Sequence, residues 1–503
     1  MQDTFSQIVL CLSPDDNVAI ARVDIAPDVV VELPEGDTLT IQEHISAGHK
    51  IALRKIEPGA PVMRYGCRIG SATKPIQPGD WVHTHNLAVG KIPAEYAYRV
   101  VDAPPRQPAR QLFLGYRRAD GRVGARNYIA VVASANCAAH VTTQIARAFD
   151  QARLAEYPNV DGVIPIVHAA GCSDILGSLA QRYLRRTLAN VARNPNFGAA
   201  IAVGLGCEEN QIAECFDLAA MPGLVIQDQG GFRSTVQAGV RAIEQLLPQV
   251  NACVRTRQPV SELTIALQCG GSDGWSGVTA NPLVGLSMDK IIAQGGTAVL
   301  SETPEIFGAE QLLLDRVASA EVGRKLIARL EWWSEQARRL GFSVDNNPTP
   351  GNKAGGLTTI IEKSLGAVAK SGSTPLVAVY EYAEMIAHKG LVFMDTPGND
   401  PTSATGQLAG GCNLIVFTTG RGSLYGSNIT PCLKVASHSN LYARMSEDMD
   451  FNAGKILEGV PMEVAAEELL QQICAVASGE RTKSERHGLA ESEFVPWHPG
   501  PVV

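Results

Sequence analysis

The sequence predicts an α/β protein in which a small β domain precedes two parallel-sheet domains, and three observations carry that expectation. Residues 263–282 read LTIALQCGGSDGWSGVTANP, a short apolar run that stops at a cysteine, two glycines, a serine and an aspartate. Apolar residues at successive positions fit a strand covered on both faces, as in a parallel sheet. Second, Cys137, Cys172 and Cys207 each close a similar run and recur at intervals of 35 residues, close to the length of one strand–helix repeat. Third, 48 glycines in 503 residues, with 45% hydrophobic and 19% charged residues, fit a glycine-rich α/β composition and not a disordered or fibrous one.

From the amino end, residues 1–100 show short β-type runs at 7–12, 18–23, 29–33 and 50–54, separated by turns rich in Pro, Gly and Asp. SAGHKIAL (46–53) and GDWVHTHN (79–86) place His49, His83 and His85 beside glycine. Two histidines spaced two apart on a strand would share one face, as a metal or anion site needs. Residues 101–112, where Pro104, Pro105 and Pro108 interleave with Arg106 and Arg110, read as a linker.

Residues 113–260 repeat strand, polar turn, helix. Strands are expected at 128–134, 162–167 and 199–205, with helices over 138–156, from beyond Cys172 through Arg193, and after Glu208. Right-handed crossovers put the carboxyl ends of such strands on one edge of the sheet. Cys137, Cys172, Cys207, His168 and Glu208 are therefore expected along one rim.

Residues 261–503 continue as a second α/β domain. After the CGGSD strand come a helix near 284–294, a strand at 297–301, and a charged helical stretch over 309–340 in which Trp332 and Trp333 are packing residues. NPTPGNKAGG (347–356) is too rich in Pro and Gly to be regular, and a strand at 413–419 ends in TGRGS. The acidic run EDMD (447–450) reads as a solvated face.

Several of these residues carry chemistry. Eleven cysteines, an odd number without short-spaced pairs, point to reduced thiols, metal ligands or small hydrophobes, not disulfides. Three thiols at equivalent strand ends, with Cys269 as a fourth, would suit iron, zinc or an iron–sulfur centre. Ser272, Asp273 and Asn281 crowd the end of the 263–269 strand with polar groups, Arg421 between glycines suits a bidentate carboxylate clamp, and glycine-framed Lys353 suits a clamp or a base. A net charge of −8 without a basic stripe argues against nucleic acid. No apolar run reaches membrane-spanning length and residues 1–12 do not read as a signal peptide, so the expectation is no membrane and a cytoplasmic location.

Taken together, SAGHKIAL, MRYG, GDWVHTHN, YRRADGRVGARNY, VHAAGCS, GLGCE, CGGSDGWSGVTANP, NPTPGNKAGG and FTTGRGS resemble the altronate/galactarate dehydratase family over almost the whole chain. The resemblance implies an amino-terminal SAF domain, a small β-clip, followed by two Rossmann-like α/β domains, with boundaries at 1–100, 113–260 and 261–503. It also implies a hydro-lyase that converts a small-molecule sugar acid to a 2-keto-3-deoxy acid with ferrous iron. An iron–sulfur cluster or Mn2+ is the alternative cofactor, and a homodimer is the expected assembly. HTHN at 83–86 looks more like the altronate members, while galactarate or another hydroxyacid stays an alternative substrate.

Dehydrating a 2,3-dihydroxy acid means removing the proton beside the carboxylate and expelling hydroxide, and a Lewis acid helps both steps. The expected assignment puts iron on Cys137, Cys172 and Cys207, with Cys269 a further thiolate. It leaves His49, His85 and His168 as candidate bases, with His168 alternatively a metal ligand, has Lys353 and Arg421 orient carboxylates, gives substrate hydroxyls to Ser272 and Asp273, and counts Asn281 as substrate-binding. A non-catalytic sugar-acid binder with structural zinc is the rival, but closed zinc sites use short paired spacings such as C-x-x-C, which the chain lacks.

Overall fold

The computed structural model describes residues 7–33, 38–90, 95–102, 105, 107–108 and 110–500. Pro104 and Arg106 of the expected linker lie outside the described residues. The amino-terminal domain is built from short antiparallel strands. Val9–Leu10, Val18–Ala21, Lys50–Ala52 and Trp81–Val82 form one sheet, and Pro61–Arg64, Cys67–Ala72 and Leu87–Ala88 another. A three-stranded antiparallel sheet of Val123–Gly124, Leu112–Arg117 and Thr256–Pro259, with no counterpart among the expected elements, then brackets the middle of the chain.

The middle domain carries a parallel sheet ordered Gly162–Ile166, Tyr128–Ala133, Phe197–Gly204, Gly223–Val225. The third domain carries a seven-stranded parallel sheet ordered Leu376–Tyr380, Gly390–Met394, Thr297–Leu300, Thr264–Cys269, Leu414–Thr419, Cys432–Ala436, Phe451–Asn452. From Thr264–Cys269 the chain steps to one side for Thr297–Leu300, and the strand on the other side is Leu414–Thr419. This reversal opens a crevice at the carboxyl ends of the two strands, the usual place for a ligand in an open α/β sheet.

Several elements differ from expectation for local reasons. Residues 138–156 divide into Ala139–Arg147 and Gln151–Leu154, the second capped by the Asp150 side chain. The 309–340 stretch likewise divides into Gln311–Leu314 and Ala320–Leu340, because Ser319 caps the second helix by accepting from Val322 N. The Pro- and Gly-rich 347–356 segment does contain a helical turn, Pro350–Ala354. Thr349 and Asn352 form its capping box, and Pro350 occupies the first turn, where its missing N–H costs nothing. The acidic run is not uniformly solvated, since Met449 is buried and Asp450 accepts the Lys434 and Lys483 backbone N–H groups. Trp333 packs as expected, stacked on Trp497, and its Nε1 also donates to Asp395.

The amino-terminal domain is welded to the third one. Val18, Ala52, Val62 and Val82 share a single apolar core with Leu263, Ile265, Leu365 and Val416. At that interface Glu362, fully buried, takes Lys50 Nζ at 2.9 Å and pairs with Arg64, and it also accepts from Thr358 N and Oγ1. Lys50 Nζ donates on to Gly356 O at 2.6 Å, and Arg64 Nη2 to Gly274 O at 2.6 Å. Burial alone would raise the Glu362 carboxyl, but the two cations overcome it and hold it at about 2, while burial lowers Lys50 to about 8 against the pull of Glu362. Close approach here needs glycine, because a Cβ on Gly274 would stand 2.1 Å from Gly48 O. No helix of the described residues is long and apolar enough to cross a membrane.

Candidate active site

Four neighbouring strands of the large sheet, Thr264–Cys269, Leu414–Thr419, Cys432–Ala436 and Phe451–Asn452, deliver Asp273, Arg421, His438 and Gly454 from their carboxyl ends into one cavity of about 430 Å3. The amino-terminal domain closes it with Arg22, Ser46, Ala47 and His49, and the loop after the Pro350–Ala354 helix adds Gly355. Three guanidinium groups, those of Arg22, Arg421 and Arg444, line this cavity. Arg22 Nη2 donates to Leu457 O, whereas the side chains of Arg421 and Arg444 make no hydrogen bond or ion pair with the described residues. Unpaired guanidinium groups at a strand-end crevice suit an anionic ligand.

Asp273 is the best-held carboxylate in the cavity. Its Oδ1 accepts from Trp275 N at 3.1 Å, Ser276 N at 2.8 Å, Ser276 Oγ at 2.9 Å and Ser437 Oγ at 3.1 Å. Oδ2 has only Ser437 Oγ at 3.2 Å and His438 Nε2 at 3.5 Å. Asp273 therefore keeps lone pairs of Oδ2 for a ligand. A Cβ on Gly420 would fall 2.0 Å from Asp273 Cγ, so Gly420→Ala must push this carboxylate aside. The expected result is a fold that still forms and a kcat lower by about tenfold or more, measured by steady-state kinetics beside circular dichroism.

The imidazoles are committed by their hydrogen bonds. His49 Nδ1 accepts from Trp81 Nε1 at 3.1 Å, so its Nε2 carries the proton and donates to Ala354 O at 3.3 Å. Burial and the neighbouring Lys50 lower its pKa and keep it neutral. His438 caps the Ser439–Arg444 helix by accepting Leu441 N at Nδ1, which leaves Nε2–H facing Gly420 O and Asp273. His168 accepts from Ala170 N and donates to Ala133 O, and burial pushes it down to about 4. It lies in a different cavity, beside Cys172. The HTHN segment is a turn and not a strand. His83, stacked on Trp81 and lowered by burial to about 4, bonds to Lys353 O, while exposed His85 packs on the same indole. These histidines donate or pack as they stand, and none presents a free lone pair to the cavity.

Of the other residues singled out in the sequence, Arg421 and Asp273 line the cavity. Ser272 and Asn281 are buried and spent internally, Ser272 Oγ on Cys269 Sγ at 2.7 Å, and Asn281 on Gly366 O and Thr418 Oγ1. Lys353 is half-buried on its helical turn and is not among the residues lining the cavity. Cys137, Cys172 and Cys207 are all exposed at the carboxyl ends of three adjacent strands, with Cys137 and Cys172 Sγ atoms 3.6 Å apart. Cys269 does not join them, since it is buried in the other sheet. Four thiols were expected to converge because both strands end in cysteine, but sequence spacing does not say which sheet a strand enters. His438 and Arg444, absent from the expected site, have no local motif, and only the strand order brings them in.

Three segments match family descriptions: residues 7–90 the altronate/galactarate dehydratase SAF domain, 115–251 the D-galactarate dehydratase/altronate hydrolase second domain, and 260–502 the D-galactarate/altronate dehydratase C-terminal domain. The chain belongs to the altronate/galactarate dehydratase family. It is 36% identical to altronate dehydratase of Escherichia coli (strain K12), over 95% of this chain and 96% of that one, and 34% identical to altronate dehydratase of Bacillus subtilis (strain 168), over 95% and 96%. Galactarate dehydratase (L-threo-forming) of Escherichia coli (strain K12) is 36% identical over 100% of this chain and 99% of its own.

Family membership raises the question of iron, and two groups of donors answer it differently. Near Gly270, where a Cβ would meet Asp400 Oδ2 at 2.2 Å, three acidic side chains, Glu302, Glu305 and Asp400, influence one another. Glu302, at φ 68° and 1% exposed, has no hydrogen-bond partner on either carboxylate oxygen, and Lys370 Nζ stands 3.8 Å away. Glu305 holds Lys363 Nζ at 2.7 Å through Oε1 and leaves Oε2 without a partner. Burial, reinforced by the charge of Glu305, raises Glu302 well above the ordinary carboxylate range and Asp400 to about 6. An orphaned buried carboxylate is satisfied by a proton or a cation, so these oxygens fit a divalent metal. The Cys137–Cys172 spacing also fits, because two thiolates on one tetrahedral metal at about 2.3 Å stand about 3.8 Å apart. Among the described residues no three carboxylate, thiol or imidazole groups stand close enough to form a finished ligand set.

Proposed function

We propose that this chain is a hydro-lyase that dehydrates a sugar acid of the altronate type to a 2-keto-3-deoxy acid, with ferrous iron, in the cavity between the amino-terminal domain and the large sheet. The observation that carries the reading is the meeting of Arg421, Arg444, His49, His438 and Asp273 at the strand-reversal crevice of a chain from this family. Arg421 and Arg444 hold the substrate carboxylate, which withdraws charge from the adjacent carbon and fixes its C–H toward Asp273. Asp273 Oδ2, less occupied than Oδ1, takes that proton, and the Nε2–H groups of His49 and His438 exchange Ala354 O and Gly420 O for substrate oxygens on which charge develops.

Glu302 and Glu305 would hold the iron, because buried carboxylate oxygens on both residues have no hydrogen-bond partner. When bound, such an ion stabilises the enediolate and the departing hydroxide. Cys172 of the thiol rim lines a separate cavity that shares no residue with the substrate cavity. Galactarate is the second reading, since Arg421 and Arg444 are two guanidinium groups and a dicarboxylate would give each a carboxylate of its own.

The test is anaerobic turnover of altronate and of galactarate, before and after chelation and readdition of ferrous iron, with the keto product followed. Loss and recovery of activity with iron, faster on altronate, is the expected result, and faster turnover of galactarate would move the proposal to the second reading. Iron content should fall in Glu302→Gln and the catalytic iron should survive in Cys172→Ser. Iron bound with neither acid turned over would sink the dehydratase proposal.

A further inference from the structure

The thiol rim lies outside the chemistry assigned to the cavity, and its geometry has its own meaning. Cys137 and Cys172 come from loops after adjacent strands, and their sulfurs touch at 3.6 Å without a covalent bond. The loops are pinned to each other. Asn136 N donates to Ala170 O at 2.9 Å, the Asn136 amide to His168 O at 3.3 Å, and His168 ties Ala133 O to Ala170 N. Gly171 makes the approach possible, because a Cβ there would stand 2.6 Å from Ser134 O. The thiol contact is thus set by backbone and not by two mobile side chains. Cys207, the third exposed thiol, has a separate partner in Gln227 Nε2 at 3.6 Å.

A cavity of about 570 Å3 opens beside Cys172, and the chain's carboxyl-terminal segment closes its other side. Trp497 stacks on Trp333 with ring centroids 5.3 Å apart, which places His498 Nε2 at 2.9 Å from Asp174 Oδ1. Asp174 is 4% exposed and its Oδ2 is buried without a partner. Cys172 and the His498–Asp174 pair line the same cavity, which leaves this thiol accessible to a small solute.

We propose that Cys137 and Cys172 are a reversible dithiol–disulfide site that responds to hydroperoxides. One thiolate attacks the peroxide oxygen and breaks the O–O bond, giving a sulfenic acid and water (or an alcohol). The second thiol then attacks the sulfenic sulfur, forms the S–S bond and releases water. Two thiols are oxidised, one hydroperoxide is reduced, and the two thiol protons leave in the products. Closing the contact from 3.6 Å to a bond of about 2.05 Å requires side-chain rotation and a small backbone adjustment. This site is independent of the dehydratase reading, because its product is read by mass and not by turnover.

The experiment treats the full-length protein, reduced and freed of metal by chelation, with hydrogen peroxide at stoichiometric level. Remaining thiols are alkylated and the tryptic peptides are weighed. The expected result is loss of two titratable thiols per chain, a linked peptide pair containing Cys137 and Cys172, and full recovery after dithiothreitol. In Cys137→Ser and in Cys172→Ser the attacking thiol, where it is the one retained, should instead be trapped as a sulfenic acid by dimedone, so one of the two variants must give the adduct even if the other is less stable. Alkylation of both cysteines after peroxide, or a bridge from either one to Cys207 or to a second chain, would overturn the proposal.

Discussion

Asp273→Asn is expected to lower kcat by about 10²–10⁴-fold while KM changes little. The replacement keeps the shape of the side chain, and its amide oxygen can still serve the four donors now on Oδ1, from Trp275, Ser276 and Ser437. What changes is the position of Oδ2, where an amide nitrogen has no lone pair to accept a proton. The imidazoles cannot stand in, because Trp81 and Leu441 occupy the lone pairs of His49 and His438. Steady-state kinetics and exchange of the substrate's α-proton with deuterated solvent give two readouts, and both should be lost together. Retained exchange in the variant would transfer the base role to another group and leave Asp273 as an organiser of the Gly270–Ser276 turn.

How much of this was legible in the sequence depends on whether the signal was local. Apolar runs closed by Cys137, Cys172, Cys207 and Cys269 marked four of the parallel strands, because a strand buried on both faces must be apolar at every position. Asp273, Arg421 and His49 were legible for the same reason, since each follows a run or turn that exposes a polar group where the backbone emerges from the core. His438 and Arg444 were not, because Cys432–Ala436 sits beside Leu414–Thr419 only through the strand order. The histidines raise a different point. An imidazole's usefulness as a base depends on which nitrogen carries the proton, and the hydrogen bonds from Trp81, Ala170 and Leu441 decide that, which residue type alone does not show. Glu302 gave no signal, because a single glutamate after a strand is distinguished only by its unpaired burial.

Glu362→Ala is expected to destabilise the protein by about 3–5 kcal/mol, because it strands Lys50 and Arg64 as buried cations without a counter-ion. The effect should be transmitted to the site, since Lys50 also grips Gly356 O and Arg64 grips Gly274 O on the loop that carries Asp273. The same carboxylate sets an acid limit. Its folded pKa of about 2 lies below its ordinary value of 4.5, so the native state resists protonation that the unfolded chain accepts. Its contribution is complete above pH 4.5 and disappears as the pH falls through that window toward 2. Glu362→Gln, which cannot titrate, should therefore be less stable than the parent at neutral pH and lose less further stability on acidification between 4.5 and 2. Urea denaturation of parent, Ala and Gln variants across that range checks the sign. Equal acid sensitivity in parent and Gln variant would mean that other carboxylates, such as the Glu485 partner of Arg126, carry the acid limit. An unchanged urea midpoint in the Ala variant would mean that solvent reaches Lys50 and Arg64 once the carboxylate is gone, and that the amino-terminal domain is held by its apolar contacts alone.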